Sequence, residues 1–181
     1  MPGAASPAPF DIPPIWSNGP LVVYHGTVAT HAASIQALGV NPLKGRAGTD
    51  FGPGFYTTTV ERQAKSWAWL TAAAGTVSGA GGTTGVVVRL EVDRDALARL
   101  DSIGFIRGDY DAEDFWSLVF HCRGGGLGHA RPPATPYYDV AYGPVAAFWM
   151  QRIAMNGAAD QISFHSSACT PILVVKGVSP A

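Results

Sequence analysis

The chain has 181 residues, 47% of them hydrophobic and 14% charged, with a formal net charge of −1. That length makes one domain the default, and that apolar content supplies a sizeable core, which excludes a largely disordered chain. The nine arginines and three lysines are scattered without a basic run, which argues against a protein that grips nucleic acid by its phosphates.

Residues 1–20 read as an extended tail, because Pro7, Pro9, Pro13, Pro14 and Pro20 hinder regular structure. The tail lacks the charged and apolar regions of a signal peptide. With no run of about 18 apolar residues, no transmembrane helix is expected. A cytoplasmic protein, or one secreted by a signal-peptide-independent route, is the expectation. The folded domain spans 21–179.

Leu21–His25 reads as a short apolar strand, and Thr30–Leu38 as a helix stopped by Gly39. A glycine-rich loop over 41–54 leads to a second strand at Phe55–Thr58. Thr58 and Glu61 have capping-box spacing at the start of a helix, and Val60, Ala64, Trp67 and Leu70 form its apolar stripe. Residues 75–85 form a small-residue loop before a strand at Val86–Val92. Asp111 caps a helix with an acidic first turn, Glu113 and Asp114, that suits the dipole. Its buried face is Phe115, Leu118, Val119 and Cys122. A loop over 124–136 leads to a strand at Tyr138–Tyr142. Pro144 is expected to open a helix with Val145, Phe148, Trp149 and Ile153 facing inward. Gln161–His165 and Ile172–Val178 are the last strands. Short strands that do not alternate regularly with helices predict an α+β fold. Trp67, Trp69, Trp116 and Trp149, at helical spacings, read as packing residues.

Several motifs carry no chemistry. Cys122 and Cys169 form neither a disulfide framework nor a zinc pattern, and read as buried free thiols. His25, His31, His121, His129 and His165 show no metal-ligand spacing, so no metal site is expected. Asp50-Phe51-Gly52 matches a kinase tripeptide, but the other kinase motifs are missing. Gly79-Ala80-Gly81-Gly82 lacks the Gly-Lys-Ser/Thr of a phosphate loop, and no Gly-x-Ser-x-Gly elbow occurs.

What remains is Tyr24-His25-Gly26-Thr27, the segment Asp50-Phe51-Gly52-Pro53-Gly54-Phe55-Tyr56, and Asp160-Gln161-Ile162-Ser163-Phe164-His165. In that order they resemble the ADP-ribosyltransferase superfamily, in the His-Tyr-Glu/Gln branch of diphtheria-toxin and poly-ADP-ribose-polymerase type. More closely, they are similar to a poorly characterised family of small microbial domains. Gln63-Ala64-Lys65-Ser66-Trp67-Ala68 and Tyr138 to Ala146 extend the resemblance over about 21–178.

The resemblance implies two small packed β-sheets with flanking helices around an NAD cleft. It implies a mono-ADP-ribosyltransferase that uses NAD as co-substrate, releases nicotinamide and modifies a protein or nucleic acid. It also implies a toxin or effector role, with an antitoxin or immunity protein as partner. By that resemblance His25 holds the adenosine ribose, Gly26 the nicotinamide amide and Thr27 a ribose. Tyr56 stacks on the nicotinamide ring. Tyr24, Gly54 and Phe55 complete the NAD contacts, with Arg46 for the diphosphate.

Gln161 takes the third catalytic place after His25 and Tyr56. A carboxylate there would stabilise an oxocarbenium-like state, worth roughly 4 kcal/mol at about 4 Å and an effective dielectric near 20. A neutral amide holds a ribose hydroxyl without supplying that charge. An NAD glycohydrolase, or a non-catalytic module that binds NAD or ADP-ribose, therefore stays open. So do plainer readings: His25 as a strand-end histidine, Tyr56 as core and Gln161 as a surface amide. Asp160, beside Gln161, is expected to point to the opposite face.

Overall fold

The computed structural model describes residues 19–77, 84–106, 112–155 and 159–181. Most of the proline-rich tail, Asp111 and the Gly79–Gly82 stretch lie outside the described residues.

Alternating apolar residues build two main sheets. β1 (Leu21–Val28), β3 (Gly85–Val92) and β9 (Leu173–Pro180) form an antiparallel sheet in the order β1-β3-β9. A second sheet has the order β2-β8-β5-β4, from β2 (Phe55–Thr57), β8 (Gln161–Phe164), β5 (Val140–Gly143) and β4 (Ser102–Gly104). The pair β4 and β5 is parallel and the other pairs are antiparallel. An isolated antiparallel bridge, Tyr24 to Thr58, ties one sheet to the other. The protein is thus mixed α/β with several small sheets.

The alternation of strand side chains sorts the interior into two clusters. Val23, Val88, Leu90, Phe55, Val140 and Phe164 meet in one cluster, with Ala32 from α1 (Ala29–Leu38) against them. On the other face of β5 and β8, Ala141 joins Phe51, Phe105 and the apolar face of α4 (Glu113–Arg123). That face is the expected Phe115, Leu118, Val119 and Cys122, with Trp116 added. Burial pushes the Cys122 thiol up to about 12, as expected of an inert core thiol.

Three local expectations are overturned. In α2 (Glu61–Val77), the buried stripe is Ala64 and Ala68, while Trp67, Trp69 and Leu70 face solvent. Only a small residue fits there, because α2 lies almost on the backbone of β1. The capping box also does not form. The Thr58 hydroxyl contacts the Val60 N–H and Asp160, and Glu61 pairs with Lys65. Finally, the residues after Pro144 are not a helix. They form a hairpin of β6 (Ala146–Phe148) and β7 (Ile153–Ala154) around a 3-10 turn. A helix would need the Pro144 carbonyl for its own ladder. Here that carbonyl accepts from Gln161, and the Ala146 N–H goes to Asp50. The four-residue α3 (Arg94–Leu97) and β4 had no strong sequence signal.

Candidate functional site

The site grows from the free edge of β1. Tyr24 exchanges two backbone hydrogen bonds with Thr58, N–H to carbonyl each way, at 2.8 and 2.9 Å. Its backbone groups therefore point away from β3. By the alternation of an antiparallel ladder, Gly26, two residues on, directs its N–H and C=O off the same edge. The missing side chain at Gly26 has a packing cause: a Cβ there would lie 2.0 Å from the Ala64 carbonyl oxygen. The space is filled by α2 and is not left for a ligand.

His25 projects from the opposite face of β1 and is partly buried. Its ring packs on Phe55, centroids 4.4 Å apart, and its Nδ1 lies 2.7 Å from the Tyr56 carbonyl. A carbonyl can only accept, so Nδ1 carries the proton and Nε2 is an acceptor. Burial lowers the His25 pKa, which keeps the ring neutral. One imidazole thus ties β1 to β2 and retains an acceptor nitrogen.

Tyr56 is placed differently from Phe55. Its ring lies on the other face of β2, edge-on to His165 at 6.3 Å. The hydroxyl donates to the Gly52 carbonyl and accepts from the Phe51 N–H, at 2.8 and 2.9 Å. Burial pushes the phenol well above its ordinary pKa. The phenol holds the loop that precedes its own strand, and Gly52, at φ +76°, makes the turn. His25 and Tyr56 meet only through the Tyr56 carbonyl, with their rings on opposite faces of β2.

Gln161 is 7% exposed and shares the Tyr56 face of the sheet. Its Nε2 donates to Asp50 Oδ2 at 2.7 Å and to the Pro144 carbonyl at 2.8 Å. The reading as a surface amide therefore fails. Asp50 is itself buried and saturated. Oδ1 receives Arg123 Nε at 2.7 Å and Arg123 Nη2 at 2.5 Å, and Oδ2 also receives the Ala146 N–H at 2.8 Å. The Arg123 charge offsets the carboxylate, which would otherwise be expensive to bury. No donor among the described residues reaches Gln161 Oε1, and an orphan buried acceptor costs about 1–3 kcal/mol.

The other expected residues scatter. Thr27 is buried, its hydroxyl 3.5 Å from His31 Nδ1. Arg46 is exposed on the loop, and Gly54 packs so closely on the His165 ring that a Cβ would fall 2.7 Å from it. Tyr24 helps to line a hollow of about 330 Å³, with Glu61, Arg89 and Ser179, outside the His25 site. Asp160 does turn away from Gln161, accepting from the Thr58 hydroxyl and from the N–H and hydroxyl of Thr59. No group of three or more metal-ligating side chains gathers among the described residues.

Sequence reasoning passed over a second polar group on this face. His129 Nε2 donates to the Phe51 carbonyl at 2.8 Å and its Nδ1 accepts from the Tyr138 N–H at 2.9 Å. His165 Nδ1 donates to the Pro53 carbonyl at 2.7 Å, and its Nε2 lies 2.8 Å from the Ser163 hydroxyl. These rings clamp the 50–54 loop from below. The strand alternation that puts Ser163 and His165 beside Gln161 was the available signal.

A family model described as protein of unknown function (DUF3990) matches residues 21–152, which takes in His25, Asp50 and Tyr56 and ends before Gln161. No curated protein and no solved structure matches the chain.

Proposed function

We propose that this chain, which belongs to the DUF3990 family, is an NAD-dependent mono-ADP-ribosyltransferase built on an ADP-ribosyltransferase-like arrangement of two sheets. The observation that carries the reading is the joint made by His25. Its Nδ1–H binds the Tyr56 carbonyl across the two sheets, and Nε2 remains an acceptor for a ribose hydroxyl. Gly26 adds an adjacent N–H and C=O at the open edge, a pair complementary to a carboxamide. Gln161 Oε1 adds a buried acceptor for a second hydroxyl. The His25 and Gly26 groups fit a ribose hydroxyl and a carboxamide, while Gln161 Oε1 lies on the other face of β2 from the His25 ring.

In the proposed reaction the bond between nicotinamide and C1′ of the ribose breaks, and nicotinamide leaves with the electron pair. A nucleophile of the acceptor macromolecule bonds to C1′ and gives up its proton. The chain's own residues bind and orient. His25 and Gln161 fix hydroxyls, and Tyr56 keeps the 50–54 loop in place. A toxin or effector role, with an immunity partner, belongs to the same proposal.

The neutral pairing around Gln161 favours a second reading, a module that binds NAD or ADP-ribose without turnover. Incubation of the protein with NAD and a cell extract separates the readings. Mass added to protein or nucleic acid supports transfer, and free ADP-ribose alone supports a glycohydrolase. NAD binding without nicotinamide release supports the module. If transfer is seen, His25→Ala should lower the rate about tenfold or more, the size of one lost hydrogen bond to substrate. Full activity in that variant would remove His25 from the site.

A further inference from the structure

We propose that Asp50 is a positioning residue that orients the Gln161 amide, so that the third site position works as a neutral hydroxyl acceptor; this rests on the transferase reading. The amide nitrogen has two protons, and both are committed, to Asp50 Oδ2 at 2.7 Å and the Pro144 carbonyl at 2.8 Å. Flipping the amide would set its oxygen against two acceptors, so the orientation is unique. Oε1 is thereby turned from the network and has no donor among the described residues, in a side chain that is 7% exposed. A group that donates a hydrogen bond, such as a ribose hydroxyl, completes it.

Asp50 holds this arrangement from three directions. It fixes Gln161, it fixes the β6 entry through the Ala146 N–H, and it is itself fixed by Arg123 on α4. The Arg123 charge leaves no net negative charge to aid an oxocarbenium-like state. A carboxylate in place of the amide is therefore no improvement. It would face Asp50 Oδ2 and the Pro144 carbonyl, two acceptors, with nothing to give them unless protonated. The other titratable groups on this face are Tyr56, Cys122, His129 and His165.

The test measures nicotinamide release from NAD by the full chain and by Gln161→Glu, Asp50→Asn and Gln161→Met, from pH 5.5 to pH 8. Gln161→Glu should lose about tenfold or more in kcat at pH 8, with KM for NAD within about threefold. It should recover at least about fivefold at pH 5.5, relative to wild type at the same pH, because the protonated carboxyl can donate to Asp50 as the amide does. The fraction folded, read by circular dichroism at both pH values, should stay constant while kcat recovers, which a side chain needed only for folding would not give. Asp50→Asn should lower kcat with KM little changed. Because that variant removes a buried ion-pair partner, a second measurement stands beside it. In the full chain carrying 15N-labelled glutamine, the side-chain resonance absent from Gln161→Met should show protons exchanging at least about a hundredfold slower than exposed amides. Gln161→Glu as active as wild type at pH 8, or a fast-exchanging Gln161 amide, overturns this inference alone. Wild-type protein that releases no nicotinamide overturns the transferase reading beneath it.

Discussion

The two faces of the β2-β8-β5-β4 sheet are built on different physics. The face toward the β1-β3-β9 sheet is hydrocarbon: Phe55, Phe164 and Val140 pack against Val23, Val88 and Leu90. The face toward α4 mixes Phe51, Phe115 and Trp116 with buried Asp50, Gln161, Ser163, His129 and His165. The first face stabilises chiefly through area removed from water, and its polar members, the His25 ring on Phe55 and the Thr57 hydroxyl, are each bonded to a backbone carbonyl. The second spends part of its burial on hydrogen-bonded polar groups, and gains from them a defined path for the 50–54 loop and the β6–β7 hairpin. Such networks specify one arrangement only while every member is satisfied, which makes an unsatisfied Gln161 Oε1 informative.

Substitutions on each face sharpen the contrast. Leu90→Ala, at a fully buried position of the apolar face, should cost about 2–5 kcal/mol in urea denaturation. The cost should be nearly the same at pH 7 and pH 5, since the side chains of the cluster that Leu90 packs in are apolar. A strong pH dependence of that cost would show that the two faces are coupled.

Acid should act chiefly on the polar face. Burial lowers the His165 pKa to about 4 from an ordinary value near 6.5, and also lowers those of His129 and His25. For His165 the unfolded chain then binds more protons between those two values, so stability is complete above about pH 6.5 and falls toward pH 4. The His165 contribution is roughly 3 kcal/mol at most. His165→Gln should flatten part of that slope in denaturation series at pH 7, 6, 5 and 4. An unchanged slope would place the acid sensitivity elsewhere. The ring can accept the proton only if Ser163 stops donating to Nε2 and turns to the Ala141 carbonyl, 3.1 Å away.

The smallest effect belongs to α2. Trp69→Ala removes a ring that is 67% exposed, and should change stability by about 0.5 kcal/mol or less. A loss several times larger, read from the same denaturation curves, would mean that the ring packs in solution.

How much could be read in advance follows the same division. The strands of the hydrocarbon face, β1, β3 and β9, were legible because Leu21, Val23, Val86, Val88 and Leu90 alternate or cluster in the chain itself. The core face of α4 was legible from its helical spacing. Pro144 and its followers misled, because helix propensity there was outweighed by Asp50 and Gln161, which capture the backbone groups of Pro144 and Ala146. Trp67 and Trp69 misled because hydrophobic spacing does not report how near a neighbouring backbone comes. Ala64 and Ala68 face β1 for that reason.

By itself the sequence determined the elements with strong local periodicity, the membership of the DUF3990 family through residues 21–152, and the order of His25, Tyr56 and Gln161 along the chain. Only the tertiary structure decided that His25 and Tyr56 face opposite sides of β2, and that Gln161 is gripped by an aspartate 111 positions away. Periodicity is a property of neighbours in the chain. The partner of a buried hydrogen bond is chosen by what folding brings beside it, and no spacing encodes that.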